Sequence, residues 1–352
     1  MRLLFDAFWW ATGPIANRTV QREIILAWAR QFPEDELVLA LRKGAAPEGL
    51  PAAASSVRTT LWPHALANRL QLPALARSLQ ADATVVHNYT PRRGATAVFI
   101  HDAMFVDHPE WFSRAERVYF APMLPWARRA AVVATSTQTE ADRIRRHGRR
   151  MANPIATGLG VPPAITQAQP LRPAALGEVD GFAMTVGRLN VRKNLETIME
   201  AAAFMTKLGP RSPLVVVGGT EHSGVAPTFS DEVRRSIDQG RIVLLGGIGD
   251  AELAWLYANT SVAITLSRDE GFGLPAIEAA AFGAPLVASD IPVFRETVGD
   301  YAHFVSPDAP AGIIAAEIDA AWGKPSDGRV VLSRYSWDGA AATLRAALID
   351  AL

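Results

Sequence analysis

The feature that most constrains the fold is an alternation of short apolar runs with longer segments of helical periodicity. The runs are continuous in Val, Ile, Leu and Ala, which is typical of strands buried on both faces of a parallel sheet. They are LVLALR, TVVHN, TAVFIHD and AAVVATS in the first half, and GFAMTVGRL, PLVVVGG, RIVLLGG, SVAITLS and PLVASD in the second. Repeated strand–helix alternation predicts βαβ units. The chain is therefore predicted to be an α/β protein with two doubly wound sheets.

Chain length and a proline-rich segment predict where the two sheets separate. A chain of 352 residues is too long for one ordinary core. Pro and Gly are dense between Asn153 and Asp180, which is typical of a linker. We predict a first domain over 1–160, a linker over 161–179, a second domain over 180–333, and a C-terminal helix over 334–352 that packs on the first domain.

Composition excludes several classes of chemistry. The chain has no cysteine, which excludes disulfides, thiolate catalysis and Cys-ligated metals and fits a reducing compartment. No Asp-x-Asp or spaced histidine cluster indicates a metal site. No apolar run reaches the roughly 18 residues of a spanning helix. The first residues, interrupted by Asp6, are expected to form a strand and not a signal peptide.

Charge is balanced over the whole chain but not between its halves. Residues 1–170 carry 20 Lys and Arg against 13 Asp and Glu, and residues 171–352 carry 15 against 22. The segment Arg143–Arg150, RIRRHGRR, is the densest basic run. This asymmetry indicates a surface-binding role for the first half, although drift of solvated charges explains the counts alone slightly better. The Arg143–Arg150 run and the aromatic residues of HPEWFSRAERVYF then point to an anionic membrane surface as the partner. No fold motif supports a nucleic-acid partner.

The stretch RDEGFGLPAIEAAAFGAP places two glutamates, Glu270 and Glu278, around a glycine-rich turn. The turn follows the predicted strand SVAITLS, and ligands of such sheets bind at the carboxyl ends of strands. The backbone N–H groups of Phe272, Gly273 and Leu274 are expected to bind a diphosphate at the start of a helix. Glu278 can then accept hydrogen bonds from a ribose, and Glu270 can face the sugar. Two solvated glutamates would explain the spacing alone, but the Gly-Phe-Gly-Leu-Pro turn favours a nucleotide-sugar site.

The segment EGFGLPAIEAAAFGAPLVAS resembles the donor motif of family 4 of the retaining GT-B glycosyltransferases. A second segment, VGRLNVRKNLETIMEA, resembles the stretch in which an Arg and a Lys of these enzymes hold the donor diphosphate. The corresponding residues are Arg188 and Lys193. Two cations at this position can offset the charge of a diphosphate. The resemblance covers about residues 180–296 and implies a GT-B fold, two Rossmann-like domains facing across a cleft.

Two glycine loops resemble further parts of the same family. Gly246, Gly247 and Ile248 match the loop that holds the nucleobase of the donor by backbone contacts. Gly13, in the first strand-to-helix loop, matches a glycine loop that approaches the donor phosphate and the acceptor. Many members have two glycines there, whereas this chain has Gly13-Pro14.

Two polar segments of the first half also resemble the family. His101 and Asp102, in VFIHDAMFVDHPEWFS, match a His-Asp segment of bacterial mannosyltransferases. A satisfied core histidine and a capping aspartate explain these two residues equally well. Ser136, in ATSTQTEADRI, is expected to be a helix N-cap or to line the acceptor side.

The resemblance implies retaining, metal-independent transfer of a hexose from a nucleotide-diphosphate sugar to a hydroxyl of a lipid-linked or growing bacterial glycan. Mannose is the favoured sugar, GDP-mannose is favoured over UDP-sugars, and no cofactor is expected. The predicted catalytic residues are Arg188, Lys193, Glu270 and His101. A nucleotide-sugar epimerase of the same fold and a catalytically silent glycan-assembly partner are the alternatives. A cytoplasmic enzyme, peripheral on the inner face of the cell membrane, is expected.

Overall fold

The computed structural model describes residues 1–44, 48–218, 229–324 and 326–352. The chain divides into two compact units. The first unit comprises Met1–Gly160 and Tyr335–Leu352, and the second comprises Val161–Arg334. Each unit has one parallel sheet with helices packed against it. The predicted α/β class with two doubly wound sheets is therefore confirmed.

The first unit has a seven-stranded sheet. Its strands are β1 (Arg2–Ala7), β2 (Glu36–Arg42), β3 (Ser55–Thr59), β4 (Ala83–His87), β5 (Thr96–Phe99), β6 (Val132–Thr135) and β7 (Ile155–Ala156). They are parallel throughout, in the order β3-β2-β1-β4-β5-β6-β7. Every residue of β4, β5 and β6 is buried, as their continuous apolar runs predict. The short strand β7 pairs with β6 in the Pro- and Gly-rich segment after Asn153, just before the predicted linker over 161–179.

Helices of the first unit connect these strands and cover the sheet. They are α1 (Ile15–Gln31), α2 (His64–Leu66), α3 (Leu72–Ser78), α4 (Met104–Asp107), α5 (Arg114–Phe120), α6 (Met123–Ala127) and α7 (Gln138–His147), with a π-helical stretch over Ala67–Gln71 and a 3₁₀ turn over Pro109–Trp111. One apolar core cluster of this unit joins side chains of five strands, including Leu4, Val38, Val86, Val98 and Val133.

The second unit has a six-stranded sheet. Its strands are β8 (Ala183–Val186), β9 (Leu214–Val217), β10 (Ile242–Gly246), β11 (Val262–Thr265), β12 (Leu286–Ser289) and β13 (His303–Val305). They are parallel in the order β10-β9-β8-β11-β12-β13. The chain moves outward from β8 on one side and returns to place β11 on its other side. The boundary between β8 and β11 is thus a topological switch point, where ligands of open α/β sheets bind.

The remaining helices complete both units. The second unit contains α8 (Pro163–Thr166), α9 (Leu195–Ala201), α10 (Asp231–Asp238), α11 (Asp250–Asn259), α12 (Leu274–Ala281), α13 (Pro292–Thr297), α14 (Ala311–Ala321) and α15 (Arg329–Arg334), with 3₁₀ turns over Val191–Lys193 and Gly299–Tyr301. The last helix, α16 (Trp337–Ala351), packs along α1 in the first unit. There Arg345 pairs with Glu34 and Asp35. Among the described residues, no helix has the length and apolarity needed to cross a bilayer.

Candidate active site

The residues around Glu270 lie at the switch point of the second unit. The 3₁₀ turn Val191–Lys193 follows β8, and Glu270 follows the neighbouring strand β11. The side chain of Asn190 accepts the backbone N–H of Lys193 at 2.9 Å and so fixes the start of the turn. Asn194 ends it in the left-handed conformation, with φ of 54°, immediately before α9. This turn directs Arg192 and Lys193 toward the carboxyl end of β11.

Glu270 is held by two cations and a hydroxyl. Its side chain pairs with the Lys193 ammonium and, at 2.8 Å, with the Arg192 guanidinium. The Ser267 hydroxyl donates to the same carboxylate at 2.7 Å. Burial acts to raise the pKa of Glu270, but Lys193 and Arg192 outweigh it and lower the pKa to about 2. Glu270 is therefore a buried, ionised carboxylate over the whole physiological pH range.

A second arginine, Arg192, lies beside Lys193 in the turn after β8. The sequence analysis assigned Arg188 to the diphosphate, and the structure leaves the Arg188 side chain exposed just after β8. In the described part of the chain Arg188 forms no salt bridge, whereas Arg192 contacts Glu270 directly. The missed signal is the adjacency of Arg192 and Lys193 in one turn. The role of Arg188 toward a donor stays a prediction.

The glycine turn before α12 has the geometry that the sequence predicts for a helix start. Gly273 has φ of +85°, and a Cβ there would lie 2.4 Å from the Phe294 ring, so only glycine fits. Leu274 begins α12, and Pro275 lies in its first turn, where a missing N–H costs no helical hydrogen bond. Phe272 is buried at 4% exposure. Anion binding by the backbone of residues 272–274 stays a prediction.

Glu278 lies in the second turn of α12 in an environment unlike that of Glu270. The Tyr257 hydroxyl, on α11, donates to its carboxylate at 2.9 Å. Burial raises the pKa of Glu278 to about 7, although Tyr257 and Lys193 act to lower it. The sequence analysis missed Tyr257, because α11 and α12 are separated by a strand and no local pattern marks the contact. Glu278 is thus poised to gain or lose a proton near neutral pH.

The predicted nucleobase loop lies at the carboxyl end of β10, the edge strand of the second sheet. Gly246 ends β10 with φ of +67°, Gly247 is exposed and Ile248 is half-buried. Gly249 then caps α11, and its N–H donates to the Glu252 side chain at 3.1 Å. The loop is open enough for backbone contacts, and its role stays a prediction.

The glycine loop of the first unit packs tightly against an aromatic ring. Gly13 lies between β1 and α1 with φ of +133°. A Cβ at this position would lie 2.2 Å from a carbon of the Trp9 ring. Any larger residue would therefore displace either the loop or Trp9, which explains the glycine without a ligand.

A buried polar network surrounds His101 at the carboxyl ends of β1, β4 and β5. Asp6 accepts hydrogen bonds from His64 at 2.7 Å, from Asn68 at 2.9 Å and from the backbone N–H of His87 at 3.2 Å. The His87 and His101 rings are stacked, with Nδ1 of His87 and Nε2 of His101 3.2 Å apart. Sequence analysis found His101 alone. Asp6 and His87 are 81 positions apart, so only the fold brings them together.

The charges in this network are fixed by burial. Burial acts to raise the pKa of Asp6, but His64 outweighs it and the pKa lies well below its ordinary value. Burial lowers the pKa of His87 to about 4, and burial together with His87 lowers the pKa of His101 well below its usual range. Both rings are therefore neutral at physiological pH, and one of the two facing nitrogens must carry a hydrogen.

Asp102 follows β5 and Ser136 follows β6. The Asp102 carboxylate accepts the backbone N–H of Met104 at 3.3 Å, at the start of α4. Ser136 is buried at 3% exposure. The N-cap of α7 is Thr137, whose hydroxyl accepts the backbone N–H of Glu140 at 3.1 Å. The N-cap alternative for Ser136 is therefore wrong by one residue, because the hydroxyl of Thr137 lies one position nearer to the first turn of α7. The acceptor-side alternative for Ser136 stays a prediction.

The basic run RIRRHGRR has fewer charges available for an anionic membrane surface than its composition predicts. Arg143 is buried and pairs with Glu140 and Asp107. Arg145 pairs with Asp142, and His147 also contacts Asp107. Two acidic residues on the same helix, Glu140 and Asp142, and one that is distant in sequence, Asp107, thus neutralise much of the run.

A different surface of the first unit carries arginines without acidic partners. The backbone N–H of Arg92 donates to the Arg69 carbonyl, and the Arg69 guanidinium lies 4.6 Å from the centre of the Trp126 ring. Burial and the charges of Arg129 and Arg92 lower the pKa of Arg69. Within the residues that the structure describes, none of the three forms a salt bridge. We call these three residues the arginine cluster.

In the part of the chain that the structure describes, no group of three or more His, Asp or Glu side chains is arranged to hold a metal ion.

Part of the chain is similar in sequence to known glycosyltransferases. Residues 172–325 match the family described as glycosyl transferases group 1. The chain is 29% identical over 167 residues to O-antigen chain mannosyltransferase B of Escherichia coli, an alignment that covers 45% of this chain and 43% of that protein. The chain thus spans less than half the length of this curated relative.

Solved structures are similar over nearly the whole chain. Sucrose-phosphate synthase from Thermosynechococcus elongatus aligns with a TM-score of 0.70 and 19% identity, covering 100% of both chains. WaaG, a glycosyltransferase involved in lipopolysaccharide biosynthesis, aligns with a TM-score of 0.66 and 13% identity, covering 97% of this chain and 94% of that one. Likeness at these identities shows the fold alone.

The class of protein follows from the two sheets and from the family match together. The two Rossmann-like units are those of the GT-B fold, which confirms the fold class predicted from sequence. Residues 172–325, which include Lys193, Glu270 and Glu278, match the family described as glycosyl transferases group 1, over less than half of the chain.

Proposed function

We propose that this protein transfers a hexose, with retention of configuration, from a nucleotide-diphosphate sugar to an acceptor hydroxyl. The observation that carries the proposal is the cluster of Lys193, Arg192 and Glu270 at the switch point between β8 and β11, beside the start of α12. Cations, a helix start and a buried carboxylate are the groups that a diphosphate and a sugar require. The match to glycosyl transferases group 1 over the same residues supports this assignment.

The leaving group in this reaction is a nucleoside diphosphate. As the bond between the sugar carbon and the β-phosphate oxygen breaks, negative charge grows on the phosphate. Lys193, the exposed Arg188 and the start of α12 would stabilise that charge. The acceptor hydroxyl forms its bond to the same carbon on the same face, and its proton passes to the departing β-phosphate. Glu270 orients the sugar and is not required to form a covalent bond.

Glu278 is proposed to bind the ribose of the donor. As a carboxylate it accepts from Tyr257 and has a second oxygen that can accept from a ribose hydroxyl. Its pKa of about 7 makes this contact sensitive to pH. The three cationic and dipolar groups around the phosphate can take over the charge-stabilising role of a metal, so the reaction is proposed to be metal-independent.

GDP-mannose is the proposed donor. Two observations support mannose: the name of the Escherichia coli relative, which is a mannosyltransferase, and the likeness of the His101–Asp102 segment to bacterial mannosyltransferases. The proposed acceptor is a lipid-linked or growing bacterial glycan. His101 is proposed to contact the substrates from the first unit as a neutral imidazole.

We further propose that the enzyme works peripherally on the inner face of the cell membrane. The arginine cluster supports this better than the run Arg143–Arg150, because its charges lack acidic partners in the described part of the chain. Leu66 and Leu70, which flank Arg69 in sequence, are 40% and 43% exposed and could enter the interface. Each cation near an anionic surface contributes about 1 kcal/mol.

A donor panel tests the proposed function. The full chain is mixed with GDP-mannose, GDP-glucose, UDP-glucose or UDP-galactose, and its thermal unfolding is followed. A donor at about a hundred times its dissociation constant should stabilise the protein by about 2.7 kcal/mol. GDP-mannose is expected to protect most, and transfer to an oligomannoside is then measured by mass spectrometry, with the anomeric configuration read by NMR. Protection by none of the four donors would contradict the proposal, and conversion of the donor without any acceptor would favour an epimerase.

A further inference from the structure

One tryptophan of the first unit is exposed where the fold gives no reason for it. The structure describes all nine tryptophans, and Trp62 is the one with most of its side chain in solvent, at 62% exposure. It lies in the loop between β3 and α2, which begins at the carboxyl end of β3. A large exposed indole is costly to keep in water, and such rings commonly mark binding sites.

The Trp62 ring is held in place by two aromatic neighbours. It stacks on the buried Phe8 ring, with centroids 5.7 Å apart and an angle of 28° between the planes. The Trp9 ring meets it nearly at a right angle, at 88° and 6.3 Å. Phe8 itself meets Trp9 edge-on at 4.9 Å. The three rings form a fixed corner, which we call the aromatic corner (Phe8, Trp9 and Trp62).

Arg42, the last residue of β2, adds hydrogen-bond donors to the aromatic corner. Its guanidinium carbon lies 5.5 Å from the centre of the Trp62 ring and 5.7 Å from that of Phe8. One of its nitrogens donates to the Thr12 hydroxyl at 2.7 Å. No carboxylate pairs with Arg42 anywhere in the described ranges of the chain. A guanidinium has five N–H donors, so several are available to a ligand beside the rings.

The aromatic corner is continuous with the polar network of the candidate site. The Trp9 ring contacts the His64 ring, with centroids 5.4 Å apart, and His64 donates to Asp6 in the network that reaches His101. Phe8 and Trp9 directly follow β1. The corner therefore lies at the carboxyl edge of the sheet, where ligands of doubly wound folds bind.

We propose that Trp62, Trp9 and Arg42 form a subsite for one pyranose ring of the glycan acceptor. The inference rests on the proposed function, because it gives that acceptor a binding surface. A pyranose has an apolar face of C–H groups, which packs on an indole, and a rim of hydroxyls, which accept from a guanidinium. An acyl chain would cover the rings equally well but would leave the N–H groups of Arg42 without acceptors. The combination of rings and donors therefore favours a sugar over a lipid tail.

Fluorine NMR of the full chain labelled with 5-fluorotryptophan tests this subsite. The Trp62 resonance is assigned with Trp62→Phe, and the Trp111 resonance, from a ring stacked on His108, is the internal reference. Methyl α-mannopyranoside, α-linked mannotriose and a uronic-acid-containing trisaccharide are titrated without donor. We expect a saturable shift of Trp62, a smaller shift of Trp9 and none of Trp111. Trp62→Ala should weaken glycan binding at least 10-fold by calorimetry, while the matched control Trp111→Phe leaves it unchanged.

The outcomes separate the subsite from the proposed function. The subsite is overturned if none of the three glycans gives a saturable shift of the Trp62 resonance. The same conclusion holds if anionic phospholipid vesicles shift this resonance and the glycans do not. Equal glycan affinity in Trp62→Ala also overturns it, provided the other tryptophan resonances show that the variant is folded. Protection by GDP-mannose without glycan binding at Trp62 would reject the subsite and keep the transferase. Glycan binding at Trp62 without any donor binding would keep the subsite and reject the transferase.

Discussion

Glu270 and Glu278 are the same residue type in the same unit, and they are buried to nearly the same extent, at 5% and 6% exposure. Glu270 faces Lys193, Arg192 and Ser267, and its pKa falls to about 2. Glu278 has a tyrosine hydroxyl and little else that favours charge, and its pKa rises to about 7. Pairs of carboxyl groups whose environments separate their pKa values mark different chemical roles. Two equally buried glutamates thus differ in charge because their ion-pair and hydrogen-bond partners differ.

The largest expected effect comes from removing the Glu270 carboxylate. Glu270→Gln leaves Lys193 and Arg192 buried or half-buried without their counter-ion, and breaking such a pair costs about 3–5 kcal/mol. We expect the urea midpoint to fall by the same amount at pH 5 and pH 8, because Glu270 is ionised at both. An unchanged urea midpoint would mean that the ion pairs of Glu270 with Lys193 and Arg192 do not stabilise the folded protein. It would contradict the difference drawn between Glu270 and Glu278.

Glu278→Gln should have the opposite sign and a different pH dependence. With a pKa of 4.5 when unfolded and about 7 when folded, Glu278 binds more protons in the native state between these values, so stability falls as pH rises. At 1.36 kcal/mol per pKa unit, the variant is expected to gain about 2–3 kcal/mol relative to wild type between pH 5 and pH 8. Urea unfolding at both pH values measures the gain. A constant difference between the variant and wild type would show that Glu278 does not titrate in this range.

Much of the fold follows from local sequence, and the reasons are physical. Strands such as β4 and β11 are buried on both faces, so they need continuous apolar residues and are visible in sequence. The edge strand β3, SSVRT, is mostly exposed and lacks that signal. The three-residue strand β13 is too short to give a clear pattern.

The site is harder to predict because its contacts are long-range. Lys193 and Glu270 were expected from their motifs, but their mutual ion pair joins residues 77 positions apart. Arg192, Tyr257 and His87 belong to contacts that only the folded chain creates. Sequence motifs thus indicate which groups are present near a site, whereas the sheet order decides which of them meet.

Lys193→Ala tests whether the cations around Glu270 serve catalysis as well as stability. Turnover is expected to fall at least 100-fold, about 2.7 kcal/mol, because the leaving diphosphate loses a fixed charge partner. Arg188→Ala should have a similar effect, and Lys207→Ala, at an exposed position, is the matched control. Circular dichroism checks that each variant is folded. Rates like those of wild type in both Lys193→Ala and Arg188→Ala would contradict the donor assignment.

A smaller effect is expected in the pH dependence of donor affinity. Ionised Glu278 can accept from a ribose hydroxyl, so the dissociation constant for GDP-mannose should decrease about 10-fold between pH 6 and pH 8, around its pKa of about 7. Calorimetry at five pH values measures the profile. Glu278→Gln should bind more weakly and lose the pH dependence, whereas a persisting profile in that variant would assign the titration to another group.

The smallest expected effect is that of chelation. The positive potential that a metal ion would provide at the diphosphate is supplied by Lys193, Arg188 and the start of α12. EDTA at about 10 mM should therefore change turnover less than about two-fold. The control reaction contains the same amount of EDTA together with an excess of Mg²⁺ or Mn²⁺. Loss of activity in EDTA that only a metal restores would show that Lys193 and Arg188 do not by themselves stabilise the charge on the leaving diphosphate. The difference between Glu270 and Glu278 would then concern the stability of the protein and not catalysis. A metal, and not Lys193, would offset the negative charge on the departing diphosphate.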